Sequence, residues 1–276
     1  GEPWKPPGWK RGSDGIGVRR TNVPWLSGGP RAMITAMRSA LLSDPLDVLA
    51  PAPLAPHLAR ALDEQGYCVL PDHFDRAWCA AVGRRLDEIL TEEGERAAAE
   101  HHQEDGADRL ANLINKGAIF DRAWLDPVLL ACHRHMYQRP FKVSSLNGRE
   151  AKLGGGHQPL HGDWKLPRGT PDTHHVTNAL IAIDDVDPGN GGPRLVPGTH
   201  RAPRPEEVLA DVIGPHPDQI IATLPAGTVL VINAHLWHGG TNNTNGKRRR
   251  VLHSYFTARE HRQQQLPAGQ ADPGPE

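Results

Sequence analysis

The sequence predicts a mainly-β protein with flanking helices and a jelly-roll core, on three observations. From Phe141 onward, short alternating runs recur between Gly, Pro and Asp/Asn turns: Phe141–Leu146, Val176–Ile183, Arg194–Val196, Ile220–Thr223, Thr228–Asn233 and Val251–Thr257. Short strands at such regular spacing are what a jelly roll of about eight strands looks like in sequence. Before that point the apolar residues fall at helical period, so helices are expected up to about residue 140 and the barrel over about 141–260. At 276 residues with no internal repeat, one domain over 31–276 preceded by an arm over 1–30 is the simplest organisation.

Residues 1–30 are rich in Pro and Gly and carry Trp4, Trp9 and Trp25, which excludes a regular element. Three indoles are costly to leave in water, so a strap packed on the body is expected. Met33, Ile34, Met37 and Leu41 then follow helical period, with Pro30 at a plausible first turn. After a Pro-rich joint at 51–56, His57–Gln65 reads as a helix stopped by Gly66, and Tyr67–Leu70 as a strand. Asp75 is placed to cap a long helix through Trp78, Val82, Leu86 and Leu90. His101, His102, Glu104, Asp105 and Asp108 have ligand chemistry, but the run is polar and broken by Gly106, so a solvated loop is expected. Arg109–Lys116 alternates partly as a strand, and Asp126-Pro127 opens a helix through Leu129, Leu130 and Cys132.

A formal net charge of −1 and a pI near 7.1 speak against a polyanion-binding surface, so no nucleic-acid partner is expected. Cys68, Cys79 and Cys132 are odd in number and lack zinc-type spacing, which fits reduced thiols in a cytoplasm. No apolar stretch approaches the about 18 residues of a membrane span, and no signal-peptide core is present, so a soluble cytoplasmic protein without membrane partners is expected.

The chemistry centres on Gly156-His-Gln-Pro-Leu-His161-Gly-Asp163-Trp164. Side chains repeat every second residue along a strand, so His161 and Asp163 would point to one side and could grip one metal ion. A third ligand is available where the apolar run from Ala226 ends in His235-Leu-Trp-His238-Gly-Gly. Two imidazoles and a carboxylate on one face of a metal, with open positions opposite, form the arrangement of non-haem Fe(II) oxygenases. With 16 histidines in the chain, any one of them is more readily a surface or hydrogen-bonded residue than a ligand. His-x-Asp itself occurs three times, at His73/Asp75, His161/Asp163 and His216/Asp218. The first pair straddles a helix start and would splay. The last contains Pro217 and has no ladder to align it, which leaves the middle copy.

Further segments combine with these. Asn190-Gly-Gly-Pro and Pro197-Gly-Thr-His200 follow the first candidate ligands, Trp237-His238-Gly-Gly comes next, and Arg249 stands eleven residues beyond His238. Over residues 58–266 this combination resembles the phytanoyl-CoA dioxygenase family of Fe(II)- and 2-oxoglutarate-dependent oxygenases. The resemblance implies a double-stranded β-helix core, with His161, Asp163 and His238 as the iron ligands, and so selects His238 over His235. It implies that Arg249 pairs with the distal carboxylate of 2-oxoglutarate, a role for which a planar fork is suited. Lys247, Arg248 and Arg250 compete for that role, but strand parity sets Arg249 and Val251 on one side and Arg248 and Arg250 on the other.

Gln158, three residues before the first candidate ligand, is placed to reach the co-substrate or the substrate, or to pack, and on the same resemblance Arg109, Lys116 and Asn147 fall in regions where relatives contact the co-substrate. His200 is a structural turn residue, and Gly240 stands where some members carry a hydroxyl. The substrate-facing candidates are Trp164, Lys165, His157, His235 and Trp237, with the N-terminal tryptophans. The implied reagents are Fe(II), 2-oxoglutarate and O2, with succinate and CO2 released and a small-molecule metabolite oxidised at C–H, as in secondary metabolism. Halogenases of this kind carry a small residue in place of the carboxylate. With Asp163 present, hydroxylation is therefore favoured, or desaturation, ring closure or epimerisation at the same centre. A non-catalytic binding module would require loss of a ligand or of the arginine, and all four are present.

Overall fold

Pro56 starts the first helix that is described, α1 (Pro56–Gln65), at the position where a missing N–H costs nothing. The structure is a computed structural model that describes residues 53–101, 103–165, 169–170 and 172–264. The expected strap over 1–30 and the helix from Pro30 lie outside the described residues. α1 ends at Gly66 (φ 78°), whose N–H bonds to Leu62 O. A Cβ there would lie 2.6 Å from His200 Nδ1, so this glycine serves both the left-handed cap and the packing of His200.

β1 (Tyr67–Leu70) leads to α2 (Arg76–Glu93), capped as expected by Asp75, which accepts from Trp78 N at 2.7 Å. β2 (Ala107–Leu110) is shorter than the expected Arg109–Lys116 strand. Asn112 adopts φ 55°, and a single 3-10 turn at Leu113–Asn115 buries Leu113 and Ile114 together, which strand alternation does not allow. α3 (Arg122–Leu125) precedes α4 (Pro127–Tyr137), whose first free N–H groups at Val128 and Leu129 are accepted by Asp126 at 2.9 and 3.1 Å.

The strands that follow are β3 (Phe141–Ala151), β4 (Val176–Ala182) and β5 (Pro193–Leu195), and a short helix, α5 (Pro205–Val208), comes next. β6 (Ile220–Ile221), β7 (Val229–Asn233), β8 (His238–Gly240) and β9 (Arg250–Ala258) complete the barrel. β3 runs five residues past the expected Leu146 because β9 pairs with it from Phe141↔Ala258 to Glu150↔Arg250.

The large antiparallel sheet has the order β1-β7-β4-β9-β3-β2, and a smaller one the order β6-β5-β8. Alternation assigns the two faces of the large sheet to two cores. Cys68, Leu70, Ile181, Val231, Leu252 and Phe256 pack under α1, α2 and α4. Tyr67, Leu180, Leu230, Ile232 and Val251 pack inward against Leu195 and Leu224 of the opposing wall. Among the described residues no helix is long and apolar enough to cross a membrane. The expected jelly roll with flanking helices is therefore the observed architecture.

Candidate metal centre

The segment carrying His161 and Asp163 is not the strand expected for it: His161 forms one isolated bridge and Asp163 lies in a bend. It is held in place by the main chain of β8 and the turn before it. His161 N donates to His238 O at 2.9 Å and His238 N to His161 O at 3.0 Å. Gln158 N bonds Gly240 O at 3.0 Å, and Asp163 N bonds Ala234 O at 2.8 Å. Two distant pieces of chain are thus registered by backbone bonds, which brings their ligand-bearing residues side by side.

The Nε2 atoms of His161 and His238 each lie 3.6 Å from Asp163 Oδ1, and the three ligand atoms fall within 4.8 Å of one another. Each histidine spends its Nδ1–H on a carbonyl two residues earlier, His161 on Pro159 O at 2.8 Å and His238 on Leu236 O at 2.7 Å. That fixes the tautomer, so both Nε2 lone pairs face the shared gap. Burial, then the neighbouring His238, pushes His161 below the ordinary histidine value against the opposing pull of Asp163, which favours the neutral, metal-binding form. Two nitrogens, one carboxylate oxygen and an open side fit a ferrous ion.

The other His-x-Asp pairs are spent elsewhere. His73 Nε2 pairs with Asp126 at 3.0 Å while Asp75 caps α2, and Asp218 N bonds His216 Nδ1 at 3.2 Å in a loop. A second group, His175, Glu260 and His261, is close enough to share an ion. There, however, the two imidazoles are hydrogen-bonded to each other at 2.7 Å and Arg139 already pairs with Glu260.

Strand parity at the start of β9 holds as expected. Arg248 pairs with Glu150 and Asp87, both at 2.7 Å, and Arg250 with Asp184 at 2.7 Å, on the helix side of the sheet. Arg249 faces into the barrel at 1% exposure, with Nε and Nη1 buried and without a partner among the described residues. Burial, then the nearby Arg149 charge, pushes Arg249 down to about 9, with Glu104 opposing. A buried guanidinium lacking a counterion is a cradle for a carboxylate brought by a ligand.

Glu104 corrects the expectation of a solvated loop over 101–108. Its carboxylate accepts from Arg109 Nε at 2.6 Å and from Arg149 Nε and Nη2 at 2.9 and 2.5 Å. The adjoining Asp108 does pair with a surface lysine, Lys152. Burial raises the Glu104 carboxyl, but Arg149 and then Arg109 overcome it and hold the group at about 2. An unfolded glutamate titrates near about 4.3, so the stabilisation, about 3 kcal/mol, is complete above that value and is lost as pH falls toward 2. Glu104→Gln is therefore expected to flatten the acid limb of stability, measured by denaturant unfolding at stepped pH; parallel curves for the two proteins would refute the assignment.

Gln158 joins this network to β8, accepting from Gly240 N at 3.1 Å and reaching Glu104 at 3.5 Å. A Cβ on Gly240 would meet Gly156 O at 2.4 Å, so a hydroxyl residue has no room there. Asn147 lines the inner face beside His253, whose register partner it is. Lys116, in contrast, pairs with Glu93 at 2.5 Å among the helices, away from this pocket.

Trp164 stacks on His175 with ring centroids 4.5 Å apart, and Lys165 is exposed with its carbonyl bonded to Arg204. His157 is exposed and bonds Ile213 O, while His235 is buried and accepts from His175 N at 3.0 Å. Trp237 packs with Leu160 and Val196 and donates to Pro203 O, and His200 lies buried beneath Gly66. Arg149 and His253 carry no expectation from the sequence, and Glu104 is expected only as part of a solvated loop. Arg149 shares strand parity with Asn147, which is a usable signal; Glu104 sits in a polar run and offers none.

The sequence profile of the family described as phytanoyl-CoA dioxygenase (PhyH) matches residues 62–251. Among solved structures, HygX from Streptomyces hygroscopicus, with nickel and 2-oxoglutarate bound, is similar at 20% identity and TM-score 0.62, over 77% of this chain and 90% of that one. The non-heme alpha-ketoglutarate-dependent epimerase SnoN from nogalamycin biosynthesis is similar at 19% identity and TM-score 0.63, over 80% and 92%. EctD from S. alaskensis with bound Fe is similar at 21% identity and TM-score 0.63, over 76% and 78%. These likenesses share the jelly-roll fold, and the profile spans well over half of the sequence. The chain belongs to the phytanoyl-CoA dioxygenase family.

Proposed function

We propose that the protein uses Fe(II), 2-oxoglutarate and O2 to oxidise a C–H bond of a small natural product, with hydroxylation as the outcome. The observation that carries this reading is the pairing of a two-histidine, one-carboxylate cluster with a buried guanidinium in the same barrel, two of whose nitrogens have no hydrogen-bond partner among the described residues. On this reading His161, Asp163 and His238 hold the iron and Arg249 anchors the far carboxylate of the keto acid. The natural-product class draws support from two similar proteins, HygX with hygromycin B bound and SnoN in complex with nogalamycin RO. Three free, buried cysteines support a cytoplasmic location.

When bound, iron with the keto acid and O2 supplies the oxidising power, converting 2-oxoglutarate to succinate and CO2 as a substrate C–H is cleaved. The residues of the chain do the positioning. Pro159 O and Leu236 O lock the imidazoles so that neither needs to rotate on binding. Arg249 fixes the length and direction of the keto acid from inside the barrel. The apolar floor formed by Leu180, Leu230, Val251 and Leu236 keeps water from the inner end.

The test is succinate release from 2-oxoglutarate by the purified protein with Fe(II) and ascorbate, which this reading expects even without the organic substrate, as slow uncoupled turnover. Absence of both succinate and 2-oxoglutarate binding would refute it. Epimerisation is the second reading, and a product isomeric with the substrate, of unchanged mass, would mark it.

A further inference from the structure

Arg109 and Arg149 face each other across β2 and β3, on the strand faces that point into the barrel. Glu104 grips one edge of each guanidinium, with Arg149 fastened further to Gly156 O at 2.9 Å. The opposite edges are unspent. Neither Nη atom of Arg109 nor Nη1 of Arg149 makes a hydrogen bond among the described residues, and the two side chains are 13% and 3% exposed. Arg149 Nη1 lies 3.3 Å from the position of a Cβ on Gly240, two residues beyond His238. Arg109 stands within electrostatic reach of Asp163. One carboxylate thus holds two guanidinium groups, with Arg149 Nη1 close to β8 and the metal ligands.

Among the described residues the charges do not balance without a further anion. Three guanidinium groups and a ferrous ion outnumber Glu104, Asp163 and a doubly charged keto acid by one positive charge, in a barrel where unpaired charge is costly. Arg249 is matched by the keto acid, so the surplus rests on the pair held by Glu104.

We infer that Arg109, aimed by Glu104 and flanked by Arg149, forms an anion subsite that takes a carboxylate of the organic substrate, which makes that substrate a monocarboxylic acid. This rests on the proposed use of 2-oxoglutarate and names the class of the second ligand. A single surplus charge suits a monoanion better than a phosphate ester, and a planar fork suits a carboxylate. Glu104 is a positioning residue: it touches no ligand and acts through the direction of Arg109.

The experiment titrates the full chain, loaded with Mn(II) and saturating 2-oxoglutarate, with matched acids and amides. The pairs are phenylacetate and phenylacetamide, hexanoate and hexanamide, and N-acetylphenylalanine and its amide, with binding read by ligand-observed NMR. At least one acid is expected to bind at least about tenfold more tightly than its amide, the size of a charge-assisted pair. Arg109→Gln should erase that preference in a protein that still takes up 2-oxoglutarate, and Arg109→Lys should retain part of it. Arg249→Gln should instead lose the keto acid. If 2-oxoglutarate binds but no acid outbinds its amide, or if Arg109→Gln loses 2-oxoglutarate as Arg249→Gln does, the inference is overturned alone. If the wild-type protein takes up no 2-oxoglutarate, the reading beneath it falls as well.

Discussion

Asp163→Ala is expected to abolish turnover and to weaken metal binding by about a hundredfold to a thousandfold, a proportionate share of the affinity of a protein metal site. The reason is geometric. Asp163 Oδ1 is the atom 3.6 Å from both imidazole nitrogens, so removing it leaves two neutral ligands and no anion to offset a divalent charge. The controls are the other two aspartates of the same motif. Asp75→Ala should cost about 1 kcal/mol of stability through the lost cap of α2 and leave turnover intact. Asp218→Ala, at an exposed loop position, should do neither. Metal retention measured by equilibrium dialysis, with succinate release alongside, separates the three, and equal losses at all of them would mean that the metal lies elsewhere.

Arg249→Leu is expected to raise stability while destroying co-substrate binding, two effects of opposite sign from one side chain. In the free protein its guanidinium is buried, has two nitrogens without hydrogen-bond partners among the described residues and sits near Arg149, so the charge is a liability to the fold. Replacing an uncompensated buried charge by an apolar side chain stabilises by about 1 to 4 kcal/mol. Once the keto acid is bound, the same group becomes half of a buried ion pair. Losing it then costs about 3 to 5 kcal/mol, a rise in the dissociation constant for 2-oxoglutarate of about a hundredfold to a few thousandfold. Thermal melts and calorimetric titration of the variant read the two effects separately. A variant that melts lower and still binds 2-oxoglutarate would show that Arg249 is a structural cation.

The contrast between Arg249 and its neighbours explains why so much of this site is legible in the sequence. Lys247-Arg-Arg-Arg250 is a uniform basic run by composition, and strand period alone divides it. Arg248 and Arg250 go to Asp87, Glu150 and Asp184 on the outside, and Arg249 goes to the interior. The same local reasoning identifies the caps at Asp75 and Asp126, the stop at Gly66 and the strands from Phe141 onward. Each depends on backbone geometry within a few residues, and the covalent chain carries that information directly.

Local period fails where a partner far along the chain decides the outcome. His161 and Asp163 share a site not because their segment is a strand but because Gln158, His161 and Asp163 bond to main-chain atoms between Ala234 and Gly240. Glu104 reads by sequence as part of a solvated run, and it is the arrival of Arg109 and Arg149 from paired strands that makes it a half-buried, doubly ion-paired anion. By itself, then, the sequence determined the fold class, the motif that carries the candidate ligands and the parity that turns one arginine inward, since all of these follow from short-range periodicity. Only the tertiary structure decided which histidines meet, and that one glutamate would bind two guanidinium groups at once. Burial and charge pairing depend on what the rest of the barrel brings to a residue, and no spacing along the chain encodes that.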